Sequence, residues 1–90
     1  MLKHYKITIT GKVQGVWYRK NTLNKTKELN IKGFVKNLDN GDVYIEAEGH
    51  ENELNTLLDW CAKGPEFSKV DTVCFKESDL EYFKHFEILH

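Results

Sequence analysis

The stretch Gly11–Arg19, GKVQGVWYR, decides the fold because it separates a strand pattern from a helical one. Before it, Tyr5, Ile7 and Ile9 alternate with polar residues, which is typical of a half-buried strand. Two glycines four positions apart favour a tight loop, and an arginine follows at the start of the next helix. Main-chain N–H groups that converge at a helix N-terminus bind anions, and a guanidinium adds a charged fork. The stretch therefore predicts a phosphate cradle, with a plain strand-to-helix connector as the alternative.

The rest of the chain alternates between strand patterns and helical patterns of apolar residues. Asn40-Gly41 favours a type I′ hairpin turn between two strands, and Gly64-Pro65 ends a well-formed helix. Four apolar residues of that helix share one face: Leu54, Leu57, Leu58 and Cys61. The predicted elements, in chain order, are a strand at His4–Thr10, a helix at Lys20–Asn30, strands at Ile31–Leu38 and Asp42–Glu48, a helix at Glu51–Lys63, a strand at Val70–Lys76 and a short fifth strand at Phe83–Leu89.

This order of strands and helices predicts an α+β fold. Strand, helix, strand, strand, helix, strand is the ferredoxin-like split βαβ sandwich, an antiparallel sheet with two helices on one face. The first helix has a thin apolar face, for which Tyr18, Thr22, Thr26 and Leu29 are the candidates. The length of 90 residues indicates one domain spanning residues 1–90.

Composition and charge narrow the class of protein. The first 37 residues carry nine basic and one acidic residue, and the remainder carries four basic and thirteen acidic residues. A basic half either forms one anion-attracting side or is interleaved with the acidic half on folding. No apolar run is long enough to span a membrane, and no signal peptide is apparent. The cysteines, Cys61 and Cys74, lack metal or disulfide-framework spacing, which indicates buried thiols in a cytoplasmic protein.

The four histidines show no spacing typical of metal ligands. His4, His50, His85 and His90 are each expected at the surface or in a turn rather than on a metal. Trp60 lies off the apolar face of its helix, so we expect it to be partly exposed. No metal site and no cofactor site is predicted.

Asn37 ends the second predicted strand, which lies close to the glycine loop in a split βαβ fold. An amide donates and accepts hydrogen bonds without taking a proton, so Asn37 could hold a water beside a phosphate bound at Arg19. The alternative is that Asn37 only satisfies local backbone groups at the end of a strand.

Two segments carry a resemblance to a known family. Gly11–Arg19 matches throughout the first acylphosphatase signature, G-x-V-Q-G-V-x-[FY]-R. Gly33–Asn37, with Gly41, Val43 and Gly49, matches the second signature, and the chain as a whole resembles this family. Family members often carry alanine in the middle of the first helix, where this chain has Thr26 and Lys27.

The resemblance implies a cytoplasmic, monomeric hydrolase that cleaves the carboxyl–phosphate bond of acyl phosphates without metal or cofactor. It implies that Arg19 binds the phosphate, Asn37 positions the attacking water and the main chain of residues 15–19 cradles the phosphoryl oxygens. The cradle residues are Gly15, Val16, Trp17, Tyr18 and Arg19. Inorganic phosphate is then both product and inhibitor, and no nucleic acid or membrane is expected as a partner.

Two other function classes remain as alternatives. A domain of the same fold could bind an anion or regulate without catalysis. An RNA-binding module is the second alternative, since Lys32-Gly33-Phe34 faintly resembles an aromatic RNA-binding motif. That motif belongs on the third strand, where the outward Glu46 and Glu48 would repel phosphates.

Overall fold

A five-stranded sheet and two helices make up the structure, a computed structural model that describes residues 1–90. The sheet order is β4-β1-β3-β2-β5, and neither helix is long and apolar enough to cross a membrane. The elements are β1 Leu2–Lys12, α1 Tyr18–Glu28, β2 Lys32–Asn37, β3 Val43–His50, α2 Glu51–Lys63, β4 Lys69–Ser78 and β5 Phe86–Ile88.

The predicted ferredoxin-like order is confirmed, with one difference in the sheet. Four strands pair antiparallel, as expected, whereas β5 pairs parallel to β2, so the sheet is mixed. The predicted bounds of α2 match the structure, but α1 begins two residues earlier than expected, at Tyr18, and ends at Glu28. This earlier start places Arg19 in the first turn of α1.

Alternating apolar residues of the strands form the core against one face of each helix. Ile7 and Ile9 of β1 and Val43 and Ile45 of β3 are completely buried. The buried face of α1 is the polar one that the sequence predicts. Its hydroxyls are satisfied within the helix, because Thr22 Oγ1 donates to the Tyr18 carbonyl over 2.8 Å and Thr26 Oγ1 donates to the Leu23 carbonyl over 3.0 Å.

The other face of the sheet is partly covered by residues 79–85, and here two predictions are wrong. His4 is buried, not at the surface, and its ring nitrogens contact the Asp79 carbonyl at 2.6 Å and the Glu46 carboxylate at 2.9 Å. Glu48, predicted to point outward, is also buried, and it accepts hydrogen bonds from the main-chain N–H groups of residues 81, 82 and 83. The segment therefore closes over both side chains.

The two cysteines differ in environment. Cys61 is buried on the inner face of α2, as predicted, and burial raises the pKa of its thiol to about 12. Cys74 is exposed, contrary to the prediction, because it lies on the uncovered face of the edge strand β4. Trp60 is half-buried against the ring of Tyr18, with 5.5 Å between ring centroids.

Candidate active site

The loop between β1 and α1 presents free main-chain N–H groups to solvent. Gly15 and Trp17 both adopt left-handed backbone conformations, with φ of 74° and 64°. Alternation of this kind turns successive N–H groups toward one point, which makes an anion-binding nest. None of the main-chain N–H groups of residues 15–20 donates to an acceptor in the protein. The first turn of α1 also contains no acidic residue, so the positive end of the helix dipole is uncompensated.

Arg19 lies beside these N–H groups on the first turn of α1. Its Nη1 atom lies 3.4 Å from the Leu89 carbonyl oxygen and 3.4 Å from Nδ1 of His90. No carboxylate forms an ion pair with the guanidinium. Most of its hydrogen-bonding capacity therefore remains available for an anion, and the guanidinium fork matches phosphate geometry.

A cavity of about 400 Å³ contains both candidate catalytic side chains. Asn37, at the end of β2, also lines it, and the amide oxygen Oδ1 is buried with no hydrogen-bond partner in the protein. A buried acceptor without a donor costs about 1–3 kcal/mol, so it calls for a specific explanation. The lining residues are Val13, Gly15, Trp17, Tyr18, Arg19, Lys20, Asn37, Ile88 and His90.

Gln14 connects the loop to the β2–β3 hairpin. Its Nε2 atom donates to the carbonyl oxygens of Leu38 and Asp42, each over 2.8 Å. Leu38 follows Asn37 directly, so this amide fixes the spacing between the loop and the Asn37 side chain. Gln14 was not among the predicted site residues, and its place in the matched signature was the only signal available.

Tyr18 anchors the other side of the loop to the core. Its ring is buried and its hydroxyl donates to the Cys61 carbonyl over 2.8 Å. Desolvation raises the pKa of this hydroxyl, so the group stays protonated and keeps its hydrogen bond. The start of α1 is thereby held against α2, which limits movement of the loop that precedes it.

Comparisons with known proteins identify the family of this chain. A family model described as Acylphosphatase matches residues 5–88. The chain belongs to the acylphosphatase family. An acylphosphatase of Thermotoga petrophila is 42% identical over 87 residues, which cover 97% of each chain. One from Marinobacter nauticus is 43% identical over 76 residues, covering 84% of this chain and 83% of its own.

Solved structures of other acylphosphatases match over the same length. The crystal structure of acylphosphatase from Bacillus subtilis is 38% identical, covers the whole of both chains and superposes with a TM-score of 0.95. The acylphosphatase from Coxiella burnetii also gives 0.95, at 34% identity, over 98% of this chain and 93% of its own. The resemblance inferred from the two signatures is therefore confirmed for the family and the fold.

The structure brings the predicted site residues together. Gly15, Trp17, Tyr18, Arg19 and Asn37 all line the one cavity, whereas the Val16 side chain points into the core. Ile88 and His90 also line the cavity, and the sequence analysis did not include them. They arrive there because β5 pairs parallel to β2 and the Leu89 N–H donates to the Val35 carbonyl over 2.9 Å. No group of three or more potential metal-ligand side chains occurs in the structure.

Proposed function

We propose that the chain hydrolyses acyl phosphates at this cavity without a metal ion, with Arg19 binding the phosphoryl group and Asn37 holding the attacking water. Family membership makes the chain a hydrolase that releases a carboxylate and inorganic phosphate. The assignment of roles rests on the cavity itself, which joins a guanidinium without a carboxylate partner, main-chain N–H groups without acceptors and an unpaired amide oxygen.

The cradle supplies the charge stabilisation in this mechanism. The N–H groups of residues 15–19 and the Arg19 fork donate hydrogen bonds to the phosphoryl oxygens, on which negative charge is distributed in the transition state. These donors are fixed before the substrate arrives, because Tyr18 and Gln14 hold the loop from two sides. Fixed donors need little reorganisation during the reaction, which is how such sites lower the barrier.

In this mechanism Asn37 positions the attacking water molecule. A water that donates to Oδ1 places its own oxygen toward the phosphorus, and this hydrogen bond supplies the partner that Oδ1 lacks in the protein. The amide cannot take the proton, so the proton passes to an oxygen of the substrate's own phosphoryl group. The bond between phosphorus and the acyl oxygen breaks, and the carboxylate leaves. Positioning of this kind accounts for a large share of the rate when reacting atoms are well aligned.

The proposal also covers the oligomeric state, the cellular location and the partners of the chain. Residues 1–90 act as one domain and as a monomer in the cytoplasm, on a small-molecule substrate and without nucleic acid, membrane or cofactor. Both cysteines are free thiols, which fits a reducing compartment. Inorganic phosphate, as the product, competes with the substrate for the cradle. Light scattering behind a sizing column measures the oligomeric state.

Replacement of Arg19 tests the site directly. We expect Arg19→Ala to lower kcat/KM for acetyl phosphate about a hundredfold or more, as for loss of a fixed transition-state donor. Arg19→Lys keeps the charge but loses the fork, so it should recover only part of the activity. Lys27→Ala is the matched control, since Lys27 is an exposed cation on α1 that does not line the cavity. Near-wild-type hydrolysis by Arg19→Ala, with folding intact, would refute the proposal.

A further inference from the structure

The cavity is larger than the phosphoryl group that the cradle binds. Its volume is about 400 Å³, against about 30 Å³ for one water molecule in the liquid. A phosphorus atom with its oxygens occupies only the part next to the N–H groups. The inference rests on the proposed function: if the phosphoryl group lies in the cradle, the acyl group of the substrate lies in the remaining space.

Most of the surface that lines the cavity as a whole is apolar, although Lys20 and His90 also contribute to it. Trp17 lies on the loop side and Ile88 on the β5 side, and both line the same cavity as Arg19. Trp17 is 75% exposed, so its side chain is available to a ligand rather than used in the core. Apolar and aromatic walls with few polar groups are typical of small-molecule pockets.

The backbone at Trp17 does not call for an aromatic side chain. The residue is the N-cap of α1 in a left-handed conformation, and its side chain makes no capping hydrogen bond. Asparagine suits both requirements better, because it tolerates this conformation and caps helices well. Phe67 and Tyr82 are also exposed aromatics with positive φ, but neither lines the cavity. Position in the cavity therefore distinguishes Trp17 from these two.

We infer that Trp17 and Ile88 form an acyl-group subsite and that the Trp17 indole selects acyl phosphates with a flat, aromatic acyl group. A benzoyl group stacks on the indole face while its phosphate lies in the cradle, whereas an acetyl group is too small to cover the indole. Aromatic pairs contribute a modest free energy beyond area burial, which corresponds to a roughly three- to tenfold effect.

The test compares benzoyl phosphate with acetyl phosphate in the full chain. We expect Trp17→Asn to lower the benzoyl-to-acetyl ratio of kcat/KM about three- to tenfold, and Trp17→Phe to recover most of it. Any damage to the cradle affects both substrates and cancels in the ratio. Phe67→Asn is the matched control and should keep the wild-type ratio. Benzoate should also inhibit wild type more strongly than acetate, and Trp17→Asn should reduce that difference.

The outcomes separate this inference from the proposed function. If both substrates are hydrolysed but the ratio in Trp17→Asn equals that of wild type, the subsite is refuted and the proposed function stands. The subsite is also refuted if Phe67→Asn lowers the ratio as much. If wild type hydrolyses neither substrate, both fail. Trp17→Leu provides the same comparison if Trp17→Asn does not fold.

Discussion

Removal of the Gln14 amide should loosen the site without removing any of the proposed reacting groups. In Gln14→Ala, two hydrogen bonds of 2.8 Å to the carbonyl oxygens of Leu38 and Asp42 are lost. Both carbonyls keep a main-chain donor, since Gly41 N–H reaches Leu38 and Leu38 N–H reaches Asp42. Neither oxygen is left unpaired, so each lost bond costs only its net value. The sum is about 1–3 kcal/mol of unfolding free energy.

The effect on turnover should exceed what this loss of stability explains. Gln14 sets the distance between the cradle and the residue next to Asn37, and a displacement of about 1 Å in a reacting geometry can lower a rate about a hundredfold. We expect kcat of Gln14→Ala to fall by roughly tenfold to a hundredfold. Inhibition by phosphate should change less, because the N–H groups and Arg19 remain.

The measurement pairs urea unfolding with phosphate release from acetyl phosphate at saturating substrate. Leu58→Ala is the control, because it removes a half-buried side chain of α2 away from the cavity. Leu58→Ala should lose up to about 3 kcal/mol of unfolding free energy, which is similar to the loss expected for Gln14→Ala. If Gln14→Ala loses no more kcat than Leu58→Ala at matched stability, the positioning role of Gln14 is wrong.

Three further predictions concern Asn37, metal ions and the buried thiol of Cys61. Asn37→Ala should lower kcat far more than it weakens inhibition by phosphate, because the proposed role of the amide is to hold the water and not the phosphate; an equal loss in both would make Asn37 a phosphate-binding residue. Phosphate release should be the same with and without EDTA, and activity that disappears and then returns with added metal would contradict the mechanism. The unfolding free energy should decline as pH rises from about 9 toward about 12, since the unfolded Cys61 thiol ionises while the buried one keeps its proton. Urea titrations should show a shallower decline in Cys61→Ala, and an unchanged slope would count against burial as the cause.

Local patterns were sufficient for most of the fold. The spacing of Leu54, Leu57 and Cys61 determined α2 to the residue, because a strong apolar face and a Gly-Pro stop agree. For α1 the same reasoning identified the buried face but not the start. Its first turn depends on the left-handed Trp17, and aromatic residues rarely signal that conformation.

The wrong predictions of side-chain burial concern residues whose surroundings depend on segments far away in the sequence. His4 and Glu48 read as outward residues of an open sheet face, and nothing near them in sequence shows that residues 79–85 lie across that face. Cys74 was expected inside because its neighbours are apolar, yet an edge strand leaves it exposed. Position within the sheet, not local composition, determined these three.

The candidate site was predictable in its central parts only. Arg19 and Asn37 were placed together by the order of elements and by the two signatures. Ile88 and His90 reach the cavity through the parallel pairing of a three-residue strand, which is too short to leave a periodic signal. Gln14 acts through bonds to carbonyl groups, which no side-chain pattern reveals.

The donors of the proposed cradle are main-chain N–H groups and a guanidinium, and their chemistry determines how phosphate binding depends on pH. Main-chain amides carry no ionisable proton in water, and a guanidinium keeps its charge throughout the range in which proteins stay folded. In the proposed mechanism, binding of the phosphoryl group by the protein therefore does not depend on pH. In the proposed mechanism, the dependence of the rate on pH therefore reports the ionisation of the substrate.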